Sequence, residues 1–254
     1  MKILSRIGMV VISAMLWLQF VLSSVILTPL FVILFMLTRP FDSQLRILHF
    51  FSCFWGAQYI WINPFWSLKI KNRSNFNDKQ AHIIVCNHQS LVDIIVIYSL
   101  FRHFKWTSKS ENFSLPFVGW VLSLNNSIRI YRGVPGAYEK FAENAHKALK
   151  NGSSVVIFPE GTRSKDGKLG RFREGAFLLV HEAKVPVLPM VIVGSASAVP
   201  KNSWIIQVKQ KIILKVLDPV PYSSIEGSSA KETSCLVRNI ISRELESALS
   251  EQSQ

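Results

Sequence analysis

The chain has 254 residues, 49% of them hydrophobic and 18% charged, and its 29 basic against 16 acidic residues give a formal net charge of +13. That hydrophobic share excludes a disordered chain, which combines low hydrophobicity with high charge density. The positive balance points to an anionic partner: nucleic acid, an anionic lipid surface or a phosphorylated substrate. Cys53, Cys86 and Cys235 stand far apart with no CxxC pair, which excludes a disulfide framework and a structural zinc site and suits a reducing compartment.

From Ile7 to Leu37 no residue is charged. As one helix this run reaches about 46 Å, against a hydrocarbon core of about 30 Å. It is too long for the apolar region of a signal peptide, and no A-x-A cleavage site follows it. Pro29, after Ser23, Ser24 and Thr28, is placed to kink the run or to break it in two. Two membrane arrangements stay open: one tilted span, or a hairpin that enters and leaves on the same side. A buried core helix is the remaining alternative, disfavoured because soluble helices are rarely apolar all round. Lys2 and Arg6 before the run and Arg39 and Arg46 after it are too evenly balanced to fix orientation.

The stretch from Arg39 to Trp66 is rich in aromatics, among them Phe50, Phe54, Trp55, Tyr59, Trp61 and Trp66. Trp and Tyr favour the membrane interface, so a helix lying in that interface is expected, with an aromatic core element of the following domain as the alternative. Residues 1–66 are therefore assigned as a membrane-anchoring segment and residues 67–254 as a catalytic domain.

After Lys69 strands alternate with helices. Ile83–Cys86 reads as a buried strand and Leu91–Leu100 as a largely buried helix, followed by a short strand near Trp106, a helix over Phe117–Leu124 and a strand over Ile128–Tyr131. Gly136–Lys150 is an amphipathic helix with Gly152 just beyond its end. A strand over Val155–Phe158, a helix over Glu174–Ala183, a strand over Val187–Val193 and β structure over Ile205–Leu217 follow, and a helix over Ser229–Ser250 closes the chain. This order predicts an α/β fold: a mainly parallel sheet flanked by helices.

Two motifs follow directly on buried strands, where open α/β sheets bind ligands. In Asn87-His88-Gln89-Ser90-Leu91-Val92-Asp93, the five-residue spacing lets His88 meet Asp93 only if His88 lies in the loop and Asp93 in the first helical turn. Ser90 is then a credible N-cap. Such a pair makes a hydroxyl-activating dyad, with His88 as general base and Asp93 as its orienter. The alternative is a capping box of Ser90 and Asp93 beside an ordinary loop histidine. In Phe158-Pro159-Glu160-Gly161-Thr162-Arg163-Ser164, Pro159 stops the strand, Gly161 permits a tight turn, and Arg163 offers a planar fork to a phosphomonoester. The alternative is a turn with a local Glu160–Arg163 pair.

These two motifs in this order resemble those of the glycerolipid acyltransferase family. Ser108-Lys109-Ser110-Glu111, Leu115-Pro116-Phe117-Val118-Gly119-Trp120 and Ile130-Tyr131-Arg132 are similar to the family's second block. Phe172-Arg173-Glu174-Gly175-Ala176 and Val185-Pro186-Val187-Leu188-Pro189 are similar to its later ones. Asn112 stands where a leucine is common, and Asn126 roughly where a glycine is. The resemblance covers roughly residues 70–220. It implies transfer of a fatty acyl group from coenzyme A or acyl carrier protein to a glycerolipid hydroxyl, with lysophosphatidate as acceptor and another lysophospholipid or a lyso-ornithine lipid as the alternative. It implies His88 and Asp93 as the catalytic pair and Lys109, Arg132, Glu160, Gly161, Thr162 and Arg163 as acceptor-binding residues. It implies no metal and no cofactor, a bilayer partner, and a catalytic domain on the cytoplasmic side of a bacterial inner membrane. A lipid hydrolase is disfavoured by the lack of a G-x-S-x-G elbow. A nucleic-acid partner is disfavoured by the lack of a zinc-finger spacing or aromatic RNA-binding motif.

Overall fold

A computed structural model of the chain describes residues 2–164, 167–199, 203–207 and 209–253, with the side chains of residues 2–6, 252 and 253 outside that description. Lys2 and Arg6, used above for orientation, are among those side chains, and Val208 of the expected β segment also lies outside the described residues.

Seven strands form one sheet in the order β1-β7-β6-β2-β5-β3-β4. They are β1 (Trp66–Lys71), β2 (Ile83–Cys86), β3 (Phe104–Lys109), β4 (Ile128–Ile130), β5 (Ser154–Ile157), β6 (Val187–Val193) and β7 (Gln210–Val216). Every pairing is parallel except β6 with β7. The mainly parallel α/β architecture expected from the sequence is the one observed. β2, β5 and β6 read as continuous apolar runs because each lies mid-sheet, buried on both faces. The expected β segment begins late: residues 203–207 form no strand and instead lie on the N-terminal helix.

Helices cover both faces. On one lie α1 (Lys2–Thr38), α2 (Arg46–Trp61) and α3 (Val92–Tyr98), sharing a core with Ile84, Trp106, Met190 and Leu214 of the sheet. On the other lie α5 (Ala137–Lys150), α6 (Gly175–Ala183) and α7 (Ala230–Ser253), packed on Ile83, Val85, Val155 and Val191. Between β3 and β4 runs the short α4 (Val118–Leu124). In α5, Phe141, Ala142, Ala145 and Leu149 make the buried stripe of an amphipathic helix. α7 starts on a capping box, with the Glu232 amide donating to Ser229 Oγ at 3.2 Å and the Ser229 amide donating to Glu232 Oε2 at 2.7 Å. Asn126 has φ 53°, a conformation that asparagine tolerates better than most residues, which explains why it can stand in a glycine's place.

The N-terminal run is a single helix. α1 continues unbroken through Pro29, so no hairpin forms inside the run. Proline removes a single rung from the hydrogen-bond ladder, and helices with continuous apolar packing tolerate that. The chain reverses only after Thr38, through residues 39–45, and enters α2 at Leu45 with φ 59°. α1 is long and apolar enough over Ile7–Thr38 to cross a membrane. Ile7, Met15, Leu18, Ile26, Met36 and Leu37 are exposed along it, a surface that fits association with a membrane. Its other side holds the fold: Trp17 Nε1 donates to the Trp204 carbonyl at 2.8 Å, and Ser13 Oγ accepts from the Ile206 amide at 2.8 Å. The aromatic stretch is divided by burial. α2 buries Leu48, Ser52, Cys53, Trp55 and Ile60 inward while Phe50, Phe54 and Trp61 stay exposed.

Candidate active site

β2 and β5 are adjacent and parallel, so the loops leaving their C-terminal ends meet although 72 residues separate His88 from Glu160. The first loop carries His88 and leads into α3. His88 Nδ1 lies 2.9 Å from Asp93 Oδ2, with the Asp93 side chain fully buried and that of His88 15% exposed. A carboxylate only accepts, so Nδ1 carries the proton and Nε2 is left as the basic nitrogen. The same Asp93 Oδ2 accepts the amides of Gln89 at 2.7 Å and Ser90 at 2.8 Å, and Ser90 Oγ accepts the Val92 amide at 3.4 Å. The His88–Asp93 contact and the helix cap therefore occur together. One carboxylate closes the capping box that starts α3 and orients the imidazole. Those charge-assisted bonds, worth roughly 1.5–3 kcal/mol each, offset the burial of the anion.

Asn87, one residue earlier, continues the sheet by its side chain. Its amide donates to the Ile192 carbonyl and accepts from the Ile192 amide, both at 2.8 Å. This pins the start of the loop to β6. Cys86 ends β2 beneath it; burial first, then the charges of Asp93 and Glu160, push its thiol well above the ordinary range. Such a thiol is no nucleophile.

The second loop grips the first. Glu160 was expected to touch the acceptor, but its carboxylate turns inward. Oε1 accepts the His88 amide and Oε2 the Gly170 amide, each at 2.9 Å. Burial raises its pKa above the usual carboxylate value, against the pull of the two backbone bonds. The Ser164 amide donates to the His88 carbonyl at 2.9 Å. Gly161 has φ 69°, and a Cβ there would meet Arg173 Nε at 2.7 Å. Only glycine fits that turn without displacing the guanidinium. Its carbonyl accepts from Arg132 Nη2, which brings the end of β4 to this loop.

Along the second loop opens a cavity of about 850 Å³ whose lining includes Thr162, Arg163, Lys168, Arg171 and Arg173 together with Glu160 and Glu174. Lys109 ends β3, opposite Ile130 of β4, and is not among the residues lining this cavity. The structure thus brings His88, Asp93 and Glu160 together by direct bonds, Thr162 and Arg163 into one cavity, and Arg132 in through Gly161. Three contributors escaped the sequence reading: Asn87, Arg173 over Gly161, and Phe158, whose ring lies against the His88 imidazole. Asn87 and Phe158 stood in plain view within the two motifs, but only sheet order shows what they touch. Among the described residues no group of three or more His, Cys, Asp or Glu side chains is placed to hold a metal ion.

Known proteins resemble this chain in sequence and in fold. A family model described as Acyltransferase matches residues 67–193. A chloroplastic 1-acyl-sn-glycerol-3-phosphate acyltransferase of Arabidopsis thaliana is 36% identical over 156 residues, covering 61% of this chain and 43% of the relative. The 1-acyl-sn-glycerol-3-phosphate acyltransferase of Pseudomonas aeruginosa is 33% identical over 137 residues, covering 54% of this chain and 52% of the relative. The chain thus spans about half the length of these curated relatives. The crystal structure of the 1-acyl-sn-glycerophosphate acyltransferase PlsC from Thermotoga maritima is similar over 96% of this chain and 97% of that one, with a TM-score of 0.83 and 26% identity.

Proposed function

The chain belongs to the Acyltransferase family, and from that premise we propose that it moves a fatty acyl group from a thioester to the free 2-hydroxyl of 1-acylglycerol-3-phosphate, giving phosphatidic acid. The observation that carries this reading is the oriented His88–Asp93 pair, bonded through the His88 backbone to Glu160 and Ser164 of a loop whose cavity holds Arg163, Lys168, Arg171 and Arg173. The acceptor hydroxyl donates to His88 Nε2 and attacks the thioester carbonyl as its proton moves to the imidazole. Asp93 stabilises the imidazolium. The tetrahedral intermediate collapses, the C–S bond breaks, and the imidazolium returns the proton to the departing thiolate. No acyl-enzyme forms. Base assistance of this kind contributes about 10²- to 10⁴-fold.

Arg163 and Thr162 hold the acceptor phosphate, with Arg132 and Lys109 adding positive charge from the neighbouring strand ends. Gly161 shapes the turn, and Glu160 acts on the loop rather than on the lipid. The donor is acyl-CoA or acyl carrier protein, and the reaction draws on side chains alone, with no metal or cofactor. Residues 1–66 hold the chain at a bilayer, on the cytoplasmic side of a bacterial inner membrane, and residues 67–254 carry the chemistry. The positive net charge suits both an anionic surface and an acidic carrier.

A competition assay with equal lysophosphatidate, lysophosphatidylcholine and monoacylglycerol, run with each donor, tests the acceptor. Lysophosphatidate is expected to be used roughly ten- to a hundredfold faster, the equivalent of one charge-assisted bond. Arg163→Lys should erode that preference, because the charge survives and the fork does not. Equal use of all three acceptors would make the protein a broader lysolipid acyltransferase.

A further inference from the structure

We infer that Phe158 is a positioning residue for the base: its ring sets the plane of the His88 imidazole and thereby the direction in which Nε2 presents its lone pair. This rests on the reading of His88 as the base of an acyl transfer.

The bond to Asp93 does not define the imidazole by itself. One Nδ1–H donor at 2.9 Å leaves the ring free to tip about the bond axis, since the angular preference at a carboxylate oxygen is broad. A second constraint must act on the ring face. Phe158 supplies it, lying nearly parallel to His88 with centroids 4.0 Å apart and planes 13° apart. Phe158 is in turn backed by Trp106 at 5.9 Å and 26°. Trp106 stands edge-on to Phe104 at 5.2 Å and to Tyr98 at 5.5 Å. Trp106, Phe104 and Tyr98 are all buried in the core. An aromatic column thus runs from the core, through β3 and the end of β5, to the face of the imidazole.

The base of that column cannot drift. The Phe158 carbonyl accepts the Gly161 amide at 3.0 Å, and Pro159 fixes the next backbone angle. The same seven-residue loop also holds the His88 backbone on both sides, through Glu160 Oε1 and the Ser164 amide. Backbone, ring nitrogen and ring face each have their own partner, and two of the three come from residues 158–164. An aliphatic side chain of similar volume fills the space without imposing a plane. The aromatic face also presents negative potential to the imidazolium formed during transfer, so the contact persists in both charge states.

Phe158→Met keeps the apolar bulk and removes the flat face. Its kcat is expected to fall between about tenfold and about a hundredfold, with KM for acceptor and donor within about twofold, because orientation and not binding is lost. Phe158→Tyr keeps the ring and should restore most of kcat. A spectroscopic readout runs beside this in detergent-solubilised protein carrying ring-labelled histidine. The His88 Cε1–H resonance, identified by its loss in His88→Gln, is expected upfield from ring current. It should move downfield in Phe158→Met, while that of His146, far from the stack, stays put. Wild-type turnover in Phe158→Met, or an unshifted His88 resonance in the wild-type protein, overturns the inference. If Phe158→Met fails to fold, the wild-type resonance and the Tyr variant still decide it. Normal turnover in His88→Ala would instead reject the base assignment and leave the stack standing.

Discussion

Histidine sits at both ends of the parallel sheet, in opposite surroundings. At the N-terminal end, His103 precedes β3 and meets Ser153 Oγ at 2.9 Å, with the His49 ring edge-on at 5.2 Å. Its charged neighbours are cations. Burial first, then the charges of Lys105 and Arg46, push the His103 imidazole down to about 3. Lys105 is buried too, and burial pushes its amine down to about 8. Lys105 Nζ donates to the carbonyls of Gln44 at 2.8 Å and Asn125 at 2.9 Å, tying the α1–α2 connection and the end of α4 to β3. At the C-terminal end His88 has a buried carboxylate, a backbone bonded to the loop of the cation-lined cavity, and a partly open face. The residue type is the same at both ends. Partner charge and access separate the proposed proton acceptor from a neutral piece of scaffold.

Exchanging the carboxylate is the sharpest way to break this contrast. Asp93→Asn can leave one oxygen on the Gln89 and Ser90 amides and on the imidazole, so α3 keeps its cap, but the negative charge that stabilises the imidazolium is gone. A fall in kcat of more than about 10²-fold is expected, with little change in unfolding temperature. Glu160→Gln comes next. One of its two acceptor positions becomes a donor facing a backbone N–H, costing about 1–3 kcal/mol of stability. With the two loops loosened, a drop of about tenfold in kcat is expected, with acceptor KM nearly unchanged. Turnover and thermal denaturation of the same preparations separate these effects. A large rise in KM would put Glu160 back in contact with the lipid.

The smallest effect belongs to the other end. The His103 imidazole titrates lower in the folded chain than in the unfolded one, so the unfolded state takes up the proton first as pH falls. Its contribution to stability is complete above about pH 6.5 and is lost progressively as pH drops toward 3, by up to about 1.4 kcal/mol per pH unit. His103→Gln should flatten that dependence between pH 6.5 and 4, measured by urea denaturation. Identical slopes in variant and wild type would show that His103 is not held neutral.

The sequence disclosed most where the physics is local. The His88–Asp93 contact was legible because five residues and one N-cap determine it, and β2 and β5 because Ile83–Cys86 and Val155–Ile157 are apolar without interruption. β1 was missed because Trp66–Lys71 is an edge strand whose residues alternate in exposure, and lysines at its outer positions look like a loop. The inward turn of Glu160 and the stack of Phe158 on His88 were illegible for a different reason. Both depend on β2 and β5 being neighbours, which sheet order decides and the linear chain does not display. Pro29 left the run undecided between one helix and two because a helix breaker is read residue by residue, whereas contacts distant in sequence also hold α1, from Ser13 and Trp17 on residues 203–207 to Phe31 on Leu48 and Leu45.

The most direct measurement is the rate of phosphatidic acid formation from lysophosphatidate and acyl-CoA by the wild-type protein, His88→Ala and His103→Gln, followed side by side by mass spectrometry. His103→Gln is expected within about twofold of wild type, since its imidazole takes no proton in the working range. His88→Ala is expected to lose about 10² to 10⁴ in kcat while melting at the wild-type temperature. A folded His88→Ala protein that makes phosphatidic acid at the wild-type rate would contradict the assignment of the C-terminal end of the sheet as the site of proton transfer.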